Sequence, residues 1–117
     1  MQFLCYEKCS TCQKARKWLD ARGLAYEARP IKEQNPDIGE LKAWAECSGL
    51  PLKRFFNTSG LQYKALGLKD KLPNMSEEEQ LRLLASDGML VKRPLLIGKD
   101  FVLVGFREEE YERTLNP

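Results

Sequence analysis

The chain has 117 residues, with 19 lysines and arginines against 17 aspartates and glutamates and a net charge of +2. That length suits a single domain, and a near-balanced, interspersed charge without a basic stripe excludes direct nucleic-acid binding as the main role. No stretch approaches the roughly 18 apolar residues needed to span a bilayer, and the first twenty residues carry no secretory pattern, so the expected setting is the cytoplasm, off the membrane, where thiols stay reduced.

In chain order the pattern reads strand, helix, strand, several helices, strand, strand, helix. Met1 to Tyr6 is an apolar first strand. Ala15, Trp18, Leu19 and Arg22 then recur at helical spacing within Gln13 to Gly23; Arg22 is expected to lay its stem along the apolar face and Gly23 to end the helix. Leu24 to Ile31 reads as the second strand. Asn35-Pro36-Asp37 signals a helix start, with Asn35 as the capping residue and Pro36 in the first turn, and Ile38, Leu41, Trp44, Ala45 and Ser48 trace its core face as far as Gly49. Ser76 and Glu79 form a capping box ahead of a helix buried along Leu81, Leu84 and Ala85 and ending at Asp87-Gly88. Pro94 to Ile97 and Phe101 to Val104 are short strands joined by Gly98-Lys99-Asp100, and Glu108 to Leu115 is a closing helix.

Chemistry concentrates at Cys9-Ser10-Thr11-Cys12, between the first strand and the first helix. A helix N-terminus offers unpaired backbone N–H groups and partial positive charge, which favour a thiolate over a thiol. Cys9 is the candidate nucleophile, with Lys8, Lys14 and Arg16 adding field of the same sign, and Cys12 can attack a sulfur adduct on Cys9 and close a disulfide. Zinc is a poor alternative, because there is one Cys-x-x-Cys, no second pair and no histidine; no metal or cofactor is expected. Cys5 and Cys47 are read as small buried hydrophobes rather than as chemistry. Two β-α-β pieces around a shared sheet, with the cysteine pair at the first helix start and a proline opening the third strand, suggest an α/β, thioredoxin-like layered fold, in which Pro94 would face the cysteine pair and contact a thiol substrate.

The segments Cys9-Ser10-Thr11-Cys12-Gln13-Lys14-Ala15 with Trp18-Leu19, Lys92-Arg93-Pro94-Leu95-Leu96-Ile97 and Val104-Gly105-Phe106-Arg107 together resemble the arsenate reductase (ArsC) and Spx-like family over nearly the whole chain. The resemblance implies a single thioredoxin-like domain over 1–117 with a mixed sheet, ordered β-α-β, helical insertion, β-β-α, the insertion covering the active cysteine from about residue 35 to 90. In the arsenate reductases of this family the nucleophilic cysteine, matched by Cys9, attacks arsenic(V), and three arginines hold the oxyanion. Arginine suits that task because its planar fork offers paired donors to a tetrahedral anion. Arg93 and Arg107 match two of them; Asn57 stands at the place of the third, with Arg54 about one helical turn earlier.

Cys12 departs from the serine usual in those reductases and resembles the Cys-x-x-Cys redox switch of the Spx and MgsR branch. Two functions follow from the resemblance. One is a thiol reductase acting on arsenate, another oxyanion or a disulfide, with thioredoxin or glutaredoxin and glutathione as reductant. The other is a redox-sensing regulator that binds the RNA polymerase alpha subunit.

Overall fold

The apolar N-terminal run forms β1 (Gln2–Cys5), which pairs in parallel with β2 (Glu27–Pro30) and antiparallel with β3 (Leu95–Ile97); β3 pairs antiparallel with β4 (Val102–Val104), giving the strand order β2-β1-β3-β4. These elements belong to a computed structural model that describes residues 1–115. Helix α1 (Ser10–Ala21) connects β1 to β2, and α6 (Glu108–Leu115) follows β4. The insertion between β2 and β3 contains α2 (Ile38–Ser48), α3 (Leu61–Ala65), α4 (Leu68–Lys71) and α5 (Glu77–Ser86), with single 3-10 turns between them. This is the mixed α/β thioredoxin-like sheet expected from the order of elements.

Alternation along the strands divides the core into two layers. Phe3, Leu96 and Leu103 stand opposite one another across the sheet and pack with Ala15, Trp18 and Leu19 of α1 and Tyr111 of α6. Leu4 and Leu95 point the other way, into a cluster with Leu41 and Trp44 of α2, Phe55, Phe56 and Leu84 of α5. Fully burying one such side chain stabilises the fold by roughly 1.5–3 kcal/mol. No helix among the described residues is long and apolar enough to cross a membrane.

Local details depart from sequence expectation where tertiary partners intervene. Helix α1 starts at Ser10, not Gln13, because its polar first turn carries no apolar periodicity to read. The second strand shrinks to the four residues opposite β1; Pro30 sits in it at no cost, since β2 is an edge strand. Asp37, not Asn35, caps α2: Asp37 Oδ1 accepts from Glu40 N at 2.8 Å and Glu40 Oε1 from Asp37 N at 3.2 Å. Asn35 instead donates from its side chain to the Ala85 carbonyl at 2.6 Å, tying the start of the insertion to the end of α5. Glu40 is also gripped by Arg29 of β2 through contacts of 2.7 and 2.9 Å. Ile38 is 42% exposed and does not belong to the core face of α2, which is carried by Leu41 and Trp44. Cys47 is likewise exposed rather than buried, because the last turn of α2 turns that side chain to solvent. The Ser76–Glu79 capping box and the closing helix are as expected, and Arg22 lies along the helix with its guanidinium carbon 3.8 Å from the centre of the Trp18 ring.

Candidate active site

Cys9 occupies the N-cap position of α1, with extended backbone angles and no side-chain capping bond, so its thiol is free while the first-turn N–H groups lie beside it. No acidic residue stands in that turn. Burial pushes the Cys9 thiol up, but the backbone N–H and thiol of Cys12 and the Arg93 guanidinium, all facing its sulfur, bring it below the ordinary cysteine value. Cys12 has the opposite setting. It is 3% exposed, and burial drives its thiol up to about 12 despite the Tyr6 backbone N–H, which donates to Cys12 Sγ at 3.4 Å. The fold thus sets a half-buried thiol biased toward its thiolate beside a buried thiol held protonated.

Cys9 opens into a cavity of about 540 Å³ whose lining includes Lys8, Asn57, Ser59, Lys92 and Arg93. The far wall comes from the insertion through a short clamp: Phe56 bridges Val91, Lys92 N donates to the Phe55 carbonyl at 2.7 Å, and Asn57 N donates to the Leu90 carbonyl at 2.8 Å. This clamp joins the stretch after α2 to the exit of the helical segment, and Asn57 lines the same cavity as Cys9. Asn57 is 8% exposed, and its Oδ1 accepts from Ser59 Oγ at 3.3 Å. Arg93 lies with its guanidinium carbon 5.0 Å from the centre of the Tyr6 ring, and its Nε and Nη1 are buried without a hydrogen-bond partner among the described residues. Buried guanidinium donors left unpaired are expensive, and Arg93 is also one of the residues lining this cavity.

Residues 4–114 match the model of the ArsC family. The chain belongs to the ArsC family. It is 55% identical over 114 residues to the uncharacterized protein YusI of Bacillus subtilis, covering 97% of each chain. It is 30% identical to the global transcriptional regulator Spx of Enterococcus faecalis, over 92% of this chain and 80% of that one. Among solved structures, an ArsC family related protein of Bacteroides fragilis is 58% identical with a TM-score of 0.94, covering 96% of this chain and 94% of that one. A Streptococcus mutans protein described as a possible arsenate reductase is 48% identical with a TM-score of 0.87, covering 95% and 96%.

Against the site expected of an ArsC family member, the structure gathers Cys9, Asn57 and Arg93 around one cavity, with Cys12 packed beneath Cys9. Arg54 and Arg107 line a neighbouring cavity of about 370 Å³, which shares Thr11 and Lys92 with the first. Pro94 is buried, follows a cis peptide bond from Arg93, and accepts from Gly105 N at 2.8 Å; it is not among the residues lining the Cys9 cavity. Lys92 was not singled out from the sequence although it borders both cavities; its place beside Arg93 was the available signal. Leu61, Gln62 and Met89 also line the first cavity, and nothing in their local sequence marks them. Among the described residues no group of three or more cysteine and carboxylate side chains is placed to hold a metal ion.

The lowered Cys9 thiol has a direct consequence. At pH 7 Cys9 is expected to react with iodoacetamide faster than an unperturbed thiol such as N-acetylcysteine, because only the thiolate is nucleophilic and its fraction is raised. The advantage should disappear as pH rises past the ordinary thiol range, and Arg93→Met should shift the Cys9 profile to higher pH. Peptide mass spectrometry of time-quenched samples reads this; equal rates at pH 7 would remove the thiolate from the mechanism.

Proposed function

We propose that this chain is a thiol-dependent reductase of the ArsC family, acting on an oxyanion or a disulfide, with Cys9 as nucleophile and Cys12 as resolving thiol. The observation that carries this reading is the pairing of Cys9, whose thiol is held below its ordinary value, with a cavity lined by Lys8, Lys92 and Arg93. With arsenate as substrate, Cys9 attacks arsenic(V) and an oxygen leaves as water. Cys12, deprotonated in the adduct, then attacks Cys9 Sγ; the sulfur–arsenic bond breaks with its electron pair passing to arsenic, arsenite departs, and a Cys9–Cys12 disulfide remains. Arg93 and Asn57 contact the anion and stabilise the charge on its oxygens, with Arg107 and Arg54 contributing from the adjoining cavity. An external dithiol restores the pair.

The test is arsenate-dependent NADPH consumption by the reduced protein, coupled in turn to thioredoxin with thioredoxin reductase and to glutaredoxin with glutathione and glutathione reductase. Turnover with thioredoxin is the expected result. Turnover only with glutaredoxin would make Cys12 dispensable, and absence of turnover with arsenate and with a disulfide such as oxidised glutathione would sink the reductase reading. The 30% identity to Spx, together with the Cys-x-x-Cys, favours a second reading, a redox-sensing regulator that contacts the RNA polymerase alpha subunit. A pull-down with that subunit, run reduced and oxidised, discriminates; no retention in either state removes it.

A further inference from the structure

Cys12 has a second sulfur neighbour that the mechanism above leaves unused. Cys5, the last residue of β1, is half-buried and shares the α1-facing side of the strand with Phe3. The N–H that donates to Cys12 Sγ belongs to Tyr6, the residue directly after Cys5. Covalent geometry keeps a cysteine sulfur within about 5 Å of the next residue's nitrogen, so Cys5 Sγ and Cys12 Sγ lie no more than about 8 Å apart around one peptide. The two cysteines also line a common cavity of about 160 Å³, with Tyr6, Glu7, Gln13 and Arg16 among its other walls, and this cavity shares no residue with the one into which Cys9 opens.

We propose that Cys5 is a third redox thiol, which takes over the Cys9–Cys12 disulfide as a Cys5–Cys12 disulfide and exposes it to the external reductant on the side away from the substrate cavity. The proposal rests on the Cys9–Cys12 chemistry given above. In the transfer, Cys5 loses its proton to solvent and its thiolate attacks Cys12 Sγ; the Cys5–Cys12 bond forms, the Cys9–Cys12 bond breaks, and Cys9 leaves as a thiolate. No electrons enter or leave the protein in this step.

The direction of transfer follows from the three settings. Burial raises the Cys5 thiol, with the Arg16 charge offsetting part of that rise, and burial raises Cys12 further, whereas Cys9 is held low. The best leaving group in a thiol–disulfide exchange is the sulfur whose thiolate is most stable, and a disulfide settles on the thiols whose thiolates are least stable. Cys9 fits the first description, and Cys5 and Cys12 fit the second. Arg16, one turn beyond Cys12, holds a cation at the Cys5 side to assist formation of the attacking thiolate. The transfer frees Cys9 before the external reductant has acted.

The experiment oxidises the reduced full chain with one equivalent of diamide, quenches it in acid, alkylates the free thiols and maps cross-linked peptides by mass spectrometry, in the wild type, Cys5→Ser and Cys9→Ser. In the wild type a Cys5–Cys12 cross-link with alkylated Cys9 is expected at roughly a tenth or more of all cross-linked chains. Cys5→Ser should give only Cys9–Cys12 and turn over several-fold more slowly with the thioredoxin couple, and Cys9→Ser should still form Cys5–Cys12. Cys9–Cys12 as the sole cross-link in the wild type, with Cys5 fully alkylated, would overturn the relay and leave the reductase reading standing. Absence of Cys9–Cys12 from both wild type and Cys5→Ser would overturn both.

Discussion

Cys9→Ser is expected to lower thiol-dependent turnover by about three orders of magnitude or more, to the background of the coupled assay, because a serine hydroxyl at this site lacks the activation that makes the thiolate nucleophilic. The loss should be confined to chemistry. Cys9 makes no side-chain capping bond, so the variant should melt within about 2 °C of the wild type. Cys12→Ser should behave differently: the first adduct forms but cannot resolve internally, so the oxidised protein should accumulate a mixed species on Cys9 that intact-mass spectrometry detects. Turnover with thioredoxin should fall with it, and added glutathione with glutaredoxin should restore part of the activity. A Cys9→Ser protein that keeps its activity would move the nucleophile elsewhere, and equal effects of the two substitutions on adduct formation would deny Cys12 its separate role.

Gly88→Ala is expected to be the most destabilising single methyl addition in the structure. A Cβ at residue 88 would stand 1.9 Å from the Ile31 carbonyl oxygen and 3.1 Å from the Asn35 Cβ. The obstacle is backbone, so it cannot swing aside as a flexible side chain would. Relieving the clash requires the end of α5 to lift from the chain leaving β2, which also strains the Asn35 bond to the Ala85 carbonyl. The cost is about 3 kcal/mol or more, a fall of roughly 10 °C or more in melting temperature. Because Asp87 caps the following turn at Met89 N, 2.8 Å away, and Met89 lines the Cys9 cavity, the folded fraction of the variant should also lose activity. A melting temperature unchanged within about 2 °C would mean that this approach is looser than it is drawn here.

The expected disulfide chemistry and the stability of the fold converge on the same few segments. The Phe55–Asn57 stretch and the Leu90–Lys92 stretch are bonded to each other, and they place Asn57, Lys92 and Arg93 around Cys9. Asn57 is uncharged, so under the proposed function an anion in the first cavity would meet the charge of Arg93 and of two lysines, Lys8 and Lys92. Arg107 and Arg54 line the adjoining cavity, which shares Thr11 and Lys92 with the first.

The order of elements, the Cys-x-x-Cys at the start of α1, the Ser76 capping box and the closing helix were all legible in the residues, because each depends on interactions within a few positions along the chain: periodicity, capping and turn chemistry. The α2 cap was assigned to Asn35 because asparagine before proline is a strong local signal, yet that side chain was captured by a carbonyl fifty residues away in sequence and Asp37 took its place. Ile38 and Cys47 showed the same limit. Helical spacing assigns a residue to a face, but only the packed neighbour decides how wide the buried part of that face is.

Sequence alone therefore determined the family and the Cys-x-x-Cys at the start of α1, since both rest on residue types at short fixed spacings. Tertiary structure decided how those residues are set against each other. It buried Cys12 while leaving Cys9 open, split the expected arginines between two adjoining cavities, brought Lys92 to both, and placed Cys5 beside the peptide that contacts Cys12. The physical reason is that burial and electric field are sums over atoms distant in sequence, and they exist only once the sheet, α1 and the insertion have packed.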